Sequence, residues 1–422
     1  MSKHAKKAKD TKSVELKVVS STKDIVRPAL LQTVLGLGLE QIYEIVEEER
    51  AALCGPKHAR DPGRAAVRSG TAPSQLVLGG RRISLRRPRV RTMDGQEVDL
   101  ETWEHFSDED PLDERAMEQM TIGVATRKYD RSLERSGDEV NTRGTSKSAV
   151  SRRFVKGTKK RLDELLNRDL SSLDLVALMI DGLLVGDHVA LLAIGVDEGG
   201  HKHVLGVQEG ATENAAACTD LLTNLRKRGM RTDRSLLVVI DGSKALRKAV
   251  DDVFGKRAAI QRCQEHKIRN VTDHLPKDMK VHVRRSMQDA YRCRKPTRAK
   301  KLLGNLQRTL LADHPGAAAS LAEGLDETLT VLEFGLSSML ERTLGTTNMI
   351  ENVNGTVRQV TRNVKRWKNG DMVLRWVATA LHEARKGFRR VRGYKGLTRL
   401  AAALRHRDEE IDDAVEQPAV IA

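Results

Sequence analysis

Asp181 stands inside an apolar run, Leu175 to Val185, where a carboxylate has few ways to keep its charge. Ionised groups survive in such surroundings when they are paired or coordinated to metal, and hard divalent cations such as Mg²⁺ select carboxylate oxygens. A second run, Leu236 to Ile240, ends on Asp241, and each aspartate is followed by glycine. Two carboxylates carried by two strands define a candidate cation site. Asp-Gly is also a common turn dipeptide. For Asp181 the turn reading is the weaker one, because apolar residues continue on both sides and a better turn, Gly186-Asp187, follows. For Asp241 both readings stand.

Phosphoryl transfer with two metal ions holds the cations about 3.5 to 4 Å apart, one for the attacking and one for the leaving oxygen, and two aspartates seldom suffice. The best placed third acid is Glu351, within Thr346-Thr347-Asn348-Met349-Ile350-Glu351-Asn352-Val353-Asn354-Gly355-Thr356-Val357-Arg358. Ile350, Val353, Val357, Val360 and Val364 recur at helical spacing and give that segment one packed face. Asn354, Gly355, Arg358 and Arg362 fall on or near the side of Glu351, as suits an approaching backbone phosphate. A mid-helix glycine costs about 1 kcal/mol relative to alanine, so close approach of another backbone is one reason to keep Gly355. Taken alone, Glu351 reads as a solvated helix acid.

The elements that must position these residues follow from periodicity. Leu175 to Val185, His188 to Val196 and Lys202 to Val207 read as three successive strands, separated by turns at Gly186-Asp187 and Glu198-Gly199-Gly200. Thr212 is expected to cap a helix through Lys227 that Gly229 ends, and Leu236 to Ile240 is a fourth strand. Ser243 caps a second helix to Phe254, and Ala258 to Arg262 is a short fifth strand. The order βββαβαβ departs from a doubly wound sheet, which alternates strand and helix from the outset. It is the order of an α/β fold built on a ribonuclease-H-like mixed sheet, whose first and fourth strands are neighbours. That neighbourhood would let Asp181 and Asp241 face each other.

With 422 residues the chain has room for about two to four domains, and with 3% aromatic residues its cores must be built mainly from Leu, Val, Ile and Ala. The formal charge of +16 points to a polyanionic partner, nucleic acid first. A membrane surface competes, but no apolar run of about 18 residues occurs, and the Lys-rich start (Lys3, Lys6, Lys7, Lys9) precedes no hydrophobic signal core. A soluble, cytoplasmic protein is expected, and four scattered cysteines, Cys54, Cys218, Cys263 and Cys293, suit a reducing compartment.

Basic charge is concentrated. From Lys57 to Arg91 ten Lys/Arg face one acid, Asp61. Within that stripe Leu76 to Leu78, Gly79-Gly80 and Arg81 to Arg86 read as a hairpin, and a ribbon carrying Arg81, Arg82 and Arg86 suits a DNA groove. Asp94 to Glu118 then holds eleven acids against Arg115, most simply a solvated linker and helix start, with an intramolecular cover for the basic surface as the other reading. Pro111 to Leu166 suggests three helices, the third capped by Thr145 or Ser146 and carrying Arg152 and Arg153, like a helix-turn-helix. Any amphipathic basic helix shares that pattern. The span between Asp241 and Glu351 reads as a helical, basic insertion, with a Leu302, Leu303, Leu306, Leu310, Leu311 face. Fifteen Lys/Arg against Asp371 and Glu383 fill Arg358 to Arg407, where Trp367, Trp376 and Phe388 are expected to pack and the arginines to follow phosphates. From Asp408 the acidic end reads as a disordered tail.

Four segments carry a more specific likeness: Met179-Ile180-Asp181-Gly182; Val239-Ile240-Asp241-Gly242-Ser243-Lys244-Ala245-Leu246; Arg262-Cys263-Gln264-Glu265-His266-Lys267-Ile268-Arg269-Asn270; and Thr347-Asn348-Met349-Ile350-Glu351. Through them, and over most of its length, the chain resembles the Mutator-type DDE transposases of bacterial insertion sequences. That resemblance implies a ribonuclease-H-like core interrupted by a helical insertion, preceded by DNA-binding segments. It implies Asp181, Asp241 and Glu351 as the catalytic, metal-binding triad. Two Mg²⁺ ions per site, with Mn²⁺ as substitute, would organise hydrolysis at the element's ends and attack of the freed 3′-hydroxyl on target DNA.

The expected division is 1–110 for a helical segment and basic ribbon, 111–170 for the helix-turn-helix-like region, and 171–267 for the first part of the core. Residues 268–344 form the insertion, 345–366 the catalytic helix, and 367–422 the basic C-terminal segment with its acidic tail. Expected contacts to double-stranded DNA are Arg81, Arg82, Arg86, Arg152, Arg153, His266, Asn348, Asn354, Arg358 and Arg362. Cys263 and His266 form a Cys-x-x-His pair given a structural or positioning role; zinc, which usually takes four ligands, is not expected. Two ends must be handled together, so a dimer or larger assembly is expected. The rival readings are a structure-specific nuclease that never joins strands and a DNA-binding regulator whose carboxylates are structural.

Overall fold

The computed structural model describes residues 32–58, 63–79, 81–108, 114–132, 142–144, 146–212 and 214–416. The chain divides into two compact units, Met1–Gly157 and Thr158–Ala422. Among the described residues no helix is long and apolar enough to cross a membrane.

In the first unit, helix α1 (32–54) precedes a hairpin of β1 (Ala66–Leu78) and β2 (Arg81–Thr92), followed by β3 (Glu97–Val98) and α2 (Glu101–Asp108). Then come α3 (Glu114–Thr121), the single turn α4 (Tyr129–Ser132), β4 (Thr142–Gly144) and the start of α5 (Lys147–Asn167). The hairpin closes with Leu78 opposite Arg81, so two residues make the turn, as the paired glycines led one to expect. It runs well beyond the segment that patterning marks, because residues 66–75 are held as strand by pairing with Ser84 to Thr92 rather than by apolar alternation. Leu35, Ile42 and Val46 of α1 pack with Leu76, Ile83, Val90 and Trp103.

The acidic stretch covers part of the basic ribbon. β3 pairs with β2, and Glu97 takes hydrogen bonds from Arg89 at 2.9 and 2.6 Å and from Arg87 at 2.8 Å. Ser146 caps α5, accepting from the Ala149 amide at 3.2 Å. β4, a short strand on β2, was not anticipated just before that helix. Thr145, 109–113 and 133–141, on which the helix-turn-helix reading partly rests, lie outside the described residues.

The second unit is built on five strands, β5 (Leu175–Val185), β6 (His188–Asp197), β7 (Lys202–Glu209), β8 (Leu236–Ile240) and β9 (Ala258–Arg262), in the order β7-β6-β5-β8-β9. The first three form an antiparallel meander, while β8 and β9 run parallel to β5. Neighbourhood of the first and fourth strands is thus realised. Helices α6 (Ala215–Lys227) and α7 (Lys244–Phe254) cover one face, where Leu178, Ile180, Val238 and Ile240 meet Leu221, Leu222, Leu246 and Val250. Ser243 caps α7 as expected, but the cap of α6 is Asn214, whose side chain accepts from the Ala217 amide. Thr212 is displaced from that role because the helix begins three residues later; its carbonyl accepts the Ser243 hydroxyl at 2.5 Å.

After β9 the chain is helical: α8 (Gln264–Asp273), α9 (Lys277–Tyr291), α10 (Pro296–Leu311), α11 (Pro315–Ala322), α12 (Thr330–Glu333) and α13 (Ser338–Leu344). α10 buries Ala299, Leu303 and Leu310 while Leu302 and Leu311 are exposed, so its apolar face is narrower than the leucine run suggested. α14 (Asn348–Thr361) packs on β5 and on α15 (Gly370–Lys386), and α16 (Leu397–Glu416) closes the unit.

The reading of a disordered tail from Asp408 is overturned as far as Glu416; residues 417–422 lie outside the described residues. α16 continues to Glu416; Asp408 accepts from the Ser235 amide at 2.7 Å, and Arg257 bonds both Asp408 and Asp412. An acidic run reads as solvated until a cation from elsewhere in the fold meets it.

Trp367 and Trp376 meet edge to face, with ring centroids 6.5 Å apart, and Lys202 lies over the Phe388 ring. The Trp367 indole presses on Gly186, whose φ of +61° belongs to the β5–β6 turn. Gly186→Ala should therefore destabilise the protein by roughly 1–3 kcal/mol through overpacking and left-handed strain. An unchanged urea midpoint would show that this turn is not packed against the indole.

Candidate active site

β5 outruns its parallel neighbour. Pairing with β8 ends at Met179 opposite Val239, while pairing with β6 continues through Asp181 opposite Leu192 to Val185. Asp181 therefore sits two residues past the last β5–β8 pair, inside a continuing strand and not in a turn. Alternation places it on the sheet face opposite Leu178 and Ile180. Only 7% exposed, it accepts the Gly182 amide at 2.8 Å and a hydrogen bond from the Thr347 side chain. Burial raises its pKa above the usual 3.8; His266 and Thr347 oppose that rise, and the charge of Asp241 adds to it.

Asp241 follows the last residue of β8 and is half-buried. One oxygen accepts the Ser243 amide at 2.9 Å, and Gly242 takes a φ of +109°. One oxygen of this aspartate thus serves the turn, and its charge acts on Asp181.

The β9–α8 corner supplies the charge facing these acids. His266 lies in the first turn of α8, and its pKa is pushed up to about 9 by the adjacent Cys263, against the opposing effect of burial, and by the charges of Asp181 and Asp241. Burial works to raise the Cys263 pKa, but the His266 hydrogen bond and charge outweigh it and bring the thiol below its usual 9.0. Cys263 also receives the Thr347 amide at 3.4 Å, with the Thr347 hydroxyl 3.5 Å away. The Gln264 amide donates to the Gly345 carbonyl at 2.9 Å. The corner after β9 is therefore bonded to the start of α14 through Cys263 and Gln264.

α14 buries Met349, Ile350, Val353, Val357 and Val360, which turns Glu351, Asn354, Gly355 and Arg358 toward one cavity of about 420 Å³. Asp181, His266 and Arg269 line the same cavity. Glu351 is largely exposed and pairs with Arg269 at 3.9 Å, an interaction worth about 0–1 kcal/mol at such exposure. Val364 lies beyond the helix and is half-buried. A Cβ on Gly355 would meet no neighbour within 4 Å, so no protein backbone approaches it; the open space belongs to whatever enters the cavity.

Asp181, Glu351, His266, Asn354 and Arg358 are thus brought together, with Asp241 beside Asp181 although not on the lining. Asn348 and Arg362 flank α14, exposed and off the lining. Arg81, Arg82 and Arg86 on β2 and Arg152 and Arg153 on α5 belong to the first unit. Arg86 is bound to its own hairpin through the Thr71 hydroxyl and carbonyl, at 2.8 and 3.0 Å. Among the described residues no three His, Cys, Asp or Glu side chains cluster tightly enough to hold a metal ion.

The donor chemistry nevertheless suits a hard cation. Asp181 is a buried carboxylate under the repulsion of a second, and the Asn354 Oδ1 is buried without a partner on the wall of the same cavity. Two contributors escaped sequence reasoning. Thr347 is fully buried and touches both Cys263 and Asp181; Arg269 sits three residues after His266, on the same face of α8. That spacing was the available signal for Arg269.

The mixed sheet thus carries one aspartate inside β5 and a second just past the end of its parallel neighbour β8. The family model for Mutator-family transposases matches residues 4–391, and the chain belongs to that family. It is 28% identical over 373 residues to the transposase for insertion sequence element ISRM5 of Rhizobium meliloti, covering 86% of this chain and 91% of that protein. It is 26% identical to the transposase for IS406 of Burkholderia multivorans, over 87% and 95% of the two chains. For the transposase for IS256 in transposon Tn4001 of Staphylococcus aureus the identity is 24%, over 86% and 90%.

The raised His266 pKa has a stability consequence of definite sign. An imidazole whose folded pKa lies above 6.5 contributes stability in full below pH 6.5 and loses it as pH rises to about 9. His266→Gln should therefore lower stability most below pH 6.5, and the gap to the unsubstituted protein should narrow up to about pH 9. Denaturant titrations in chelator across that range check this; a gap constant with pH would rule out the charge.

Proposed function

We propose that this transposase cleaves DNA at the ends of an insertion sequence and joins the freed 3′-hydroxyls to target DNA, using a DDE site of Asp181, Asp241 and Glu351 on a ribonuclease-H-like core. The observation that carries the reading is the placement of Asp181. It is buried just past the β5–β8 pairing, under the charge of Asp241, on a cavity whose far wall presents Glu351 and Arg358.

Asp181 and Asp241 are the residues suited to hold Mg²⁺, or Mn²⁺ in its place, with Glu351 as third ligand once free of Arg269. When bound, two such ions would supply Lewis acidity at the attacking and leaving oxygens. The chain itself would bind and orient. Arg269 and Arg358 neutralise the scissile phosphate, the Asn354 amide offers it a hydrogen bond, and open space at Gly355 lets the sugar-phosphate backbone approach α14. His266, held cationic, balances the paired aspartates until metal arrives. Substrates are double-stranded element ends and target DNA, handled by a dimer or larger assembly in the cytoplasm, where light scattering of the DNA complex reports the stoichiometry.

The test is a strand-transfer assay with labelled end DNA, a target plasmid and Mg²⁺. Asp181→Asn, Asp241→Asn and Glu351→Gln should each reduce cleavage and joining by about 100-fold or more while leaving duplex binding within about threefold. Full activity in Asp181→Asn would defeat the site, and cleavage without joined products would leave a nuclease.

Metal binding has its own readout. Mg²⁺ should raise the melting temperature of the unsubstituted protein by mass action, and should fail to do so for Asp181→Asn. Equal shifts in both proteins would place the cation elsewhere.

A further inference from the structure

We propose that a cavity formed by the C-terminal half of α5, β7 and α15 is a phosphate-binding site, separate from the candidate active site, in which Arg161, Arg168 and Arg385 hold one phosphate group. Its volume is about 440 Å³, and its lining shares no residue with the cavity at Asp181. Three guanidinium groups face it, with His382 beside them and Glu164 as the one carboxylate on the wall.

Those cations are poorly compensated. Among the described residues Arg161 has one acidic partner, Glu383 at 3.8 Å, and neither Arg168 nor Arg385 has a carboxylate within 4 Å. The Arg161 Nη1 and the Arg168 Nε are buried with no hydrogen-bond acceptor. Burial and then the charge of Arg385 depress the Arg168 pKa, and the Arg228 guanidinium is depressed by burial and by Arg168 in turn. Partial burial and Arg161 hold His382 below its usual 6.5, so it adds a neutral ring rather than a fourth charge.

Leaving a buried N–H without an acceptor costs about 1–3 kcal/mol, more for a charged group. Arg168 does close the free edge of the sheet, donating to the Val204 carbonyl at 2.6 Å. That contact employs one of its five N–H groups and leaves the Arg161 Nη1 without an acceptor, while Arg385 is exposed on the lining. A tetrahedral anion with several acceptor oxygens satisfies all three forks at once, which is the geometry that guanidinium prefers with phosphate.

The phosphate can come from the backbone of duplex DNA or from solution. Arg385→Gln alone and Arg161→Gln/Arg385→Gln in the full chain distinguish these, with melting curves confirming a folded protein; Arg168 is left in place because it holds the sheet edge. If the phosphate is DNA's, the double variant should bind a labelled duplex about threefold to tenfold more weakly. Its slope of log K against log salt, measured between about 50 and 200 mM, should be shallower by about 1 to 2.

If the phosphate is free, inorganic phosphate should raise the melting temperature of the unsubstituted protein saturably and leave the double variant unmoved, with duplex binding equal in both. Variants that match the unsubstituted protein in salt slope, duplex affinity and response to inorganic phosphate would overturn the proposal. Neither readout involves strand cleavage, so the site stands or falls independently of the catalysis proposed above.

Discussion

A single buried carboxylate organises the second unit. β8 stops at Ile240 while β5 continues to Val185, so the sheet opens where Asp181 points and an ionisable group is left between apolar strands. A charge in that position is tolerated only when neighbouring groups answer it. The answers come from three directions: the Gly182 amide on its own strand, the Thr347 side chain ahead of α14, and the His266 charge on α8.

The same logic explains why Cys263 is buried beside the acids. Its sulfur joins His266 to Thr347, and so couples the helix that brings positive charge to the helix that carries Glu351. Lys267, next on α8, spends its ammonium on the Ser320 and Glu323 carbonyls at 2.7 and 2.6 Å, and burial lowers its pKa. On α8, His266 and Arg269 thus line the cavity, while Lys267 ties α8 to the end of α11. Glu351 contrasts with His266 and Lys267: its partner is an exposed arginine, so the third acid is the most easily rearranged member of the site.

Much of the second unit was legible in the sequence because its periodicities are strong. Five apolar runs with turn residues between them gave the strands, and Ser243 announced α7. The structure departs from that reading at particular residues. Thr212 looks like a cap, yet Asn214, two residues on, serves by accepting from the Ala217 amide. The acidic residues from Asp408 look solvated, yet Arg257 meets two of them across the fold. The sequence left open whether the acidic stretch covers the basic ribbon, and Glu97 does take up Arg87 and Arg89. For the acidic end, a partner about 150 residues away in the sequence outweighs local composition.

What the sequence by itself determined is the chemistry on offer: a carboxylate too deep in an apolar run to be ornamental, a second at the end of another run, and a helix bearing a third beside amide and guanidinium groups. Hydrophobic periodicity is local, and it suffices to say which residues share a face. Tertiary structure decided which of them meet. The strand order brings Asp181 and Asp241 together, and the Cys263 corner sets α14 against β5 so that Glu351, Asn354 and Arg358 share a cavity with Asp181. Pairing between residues far apart in sequence leaves no local trace, because burial and charge compensation exist only once the chain has closed on itself.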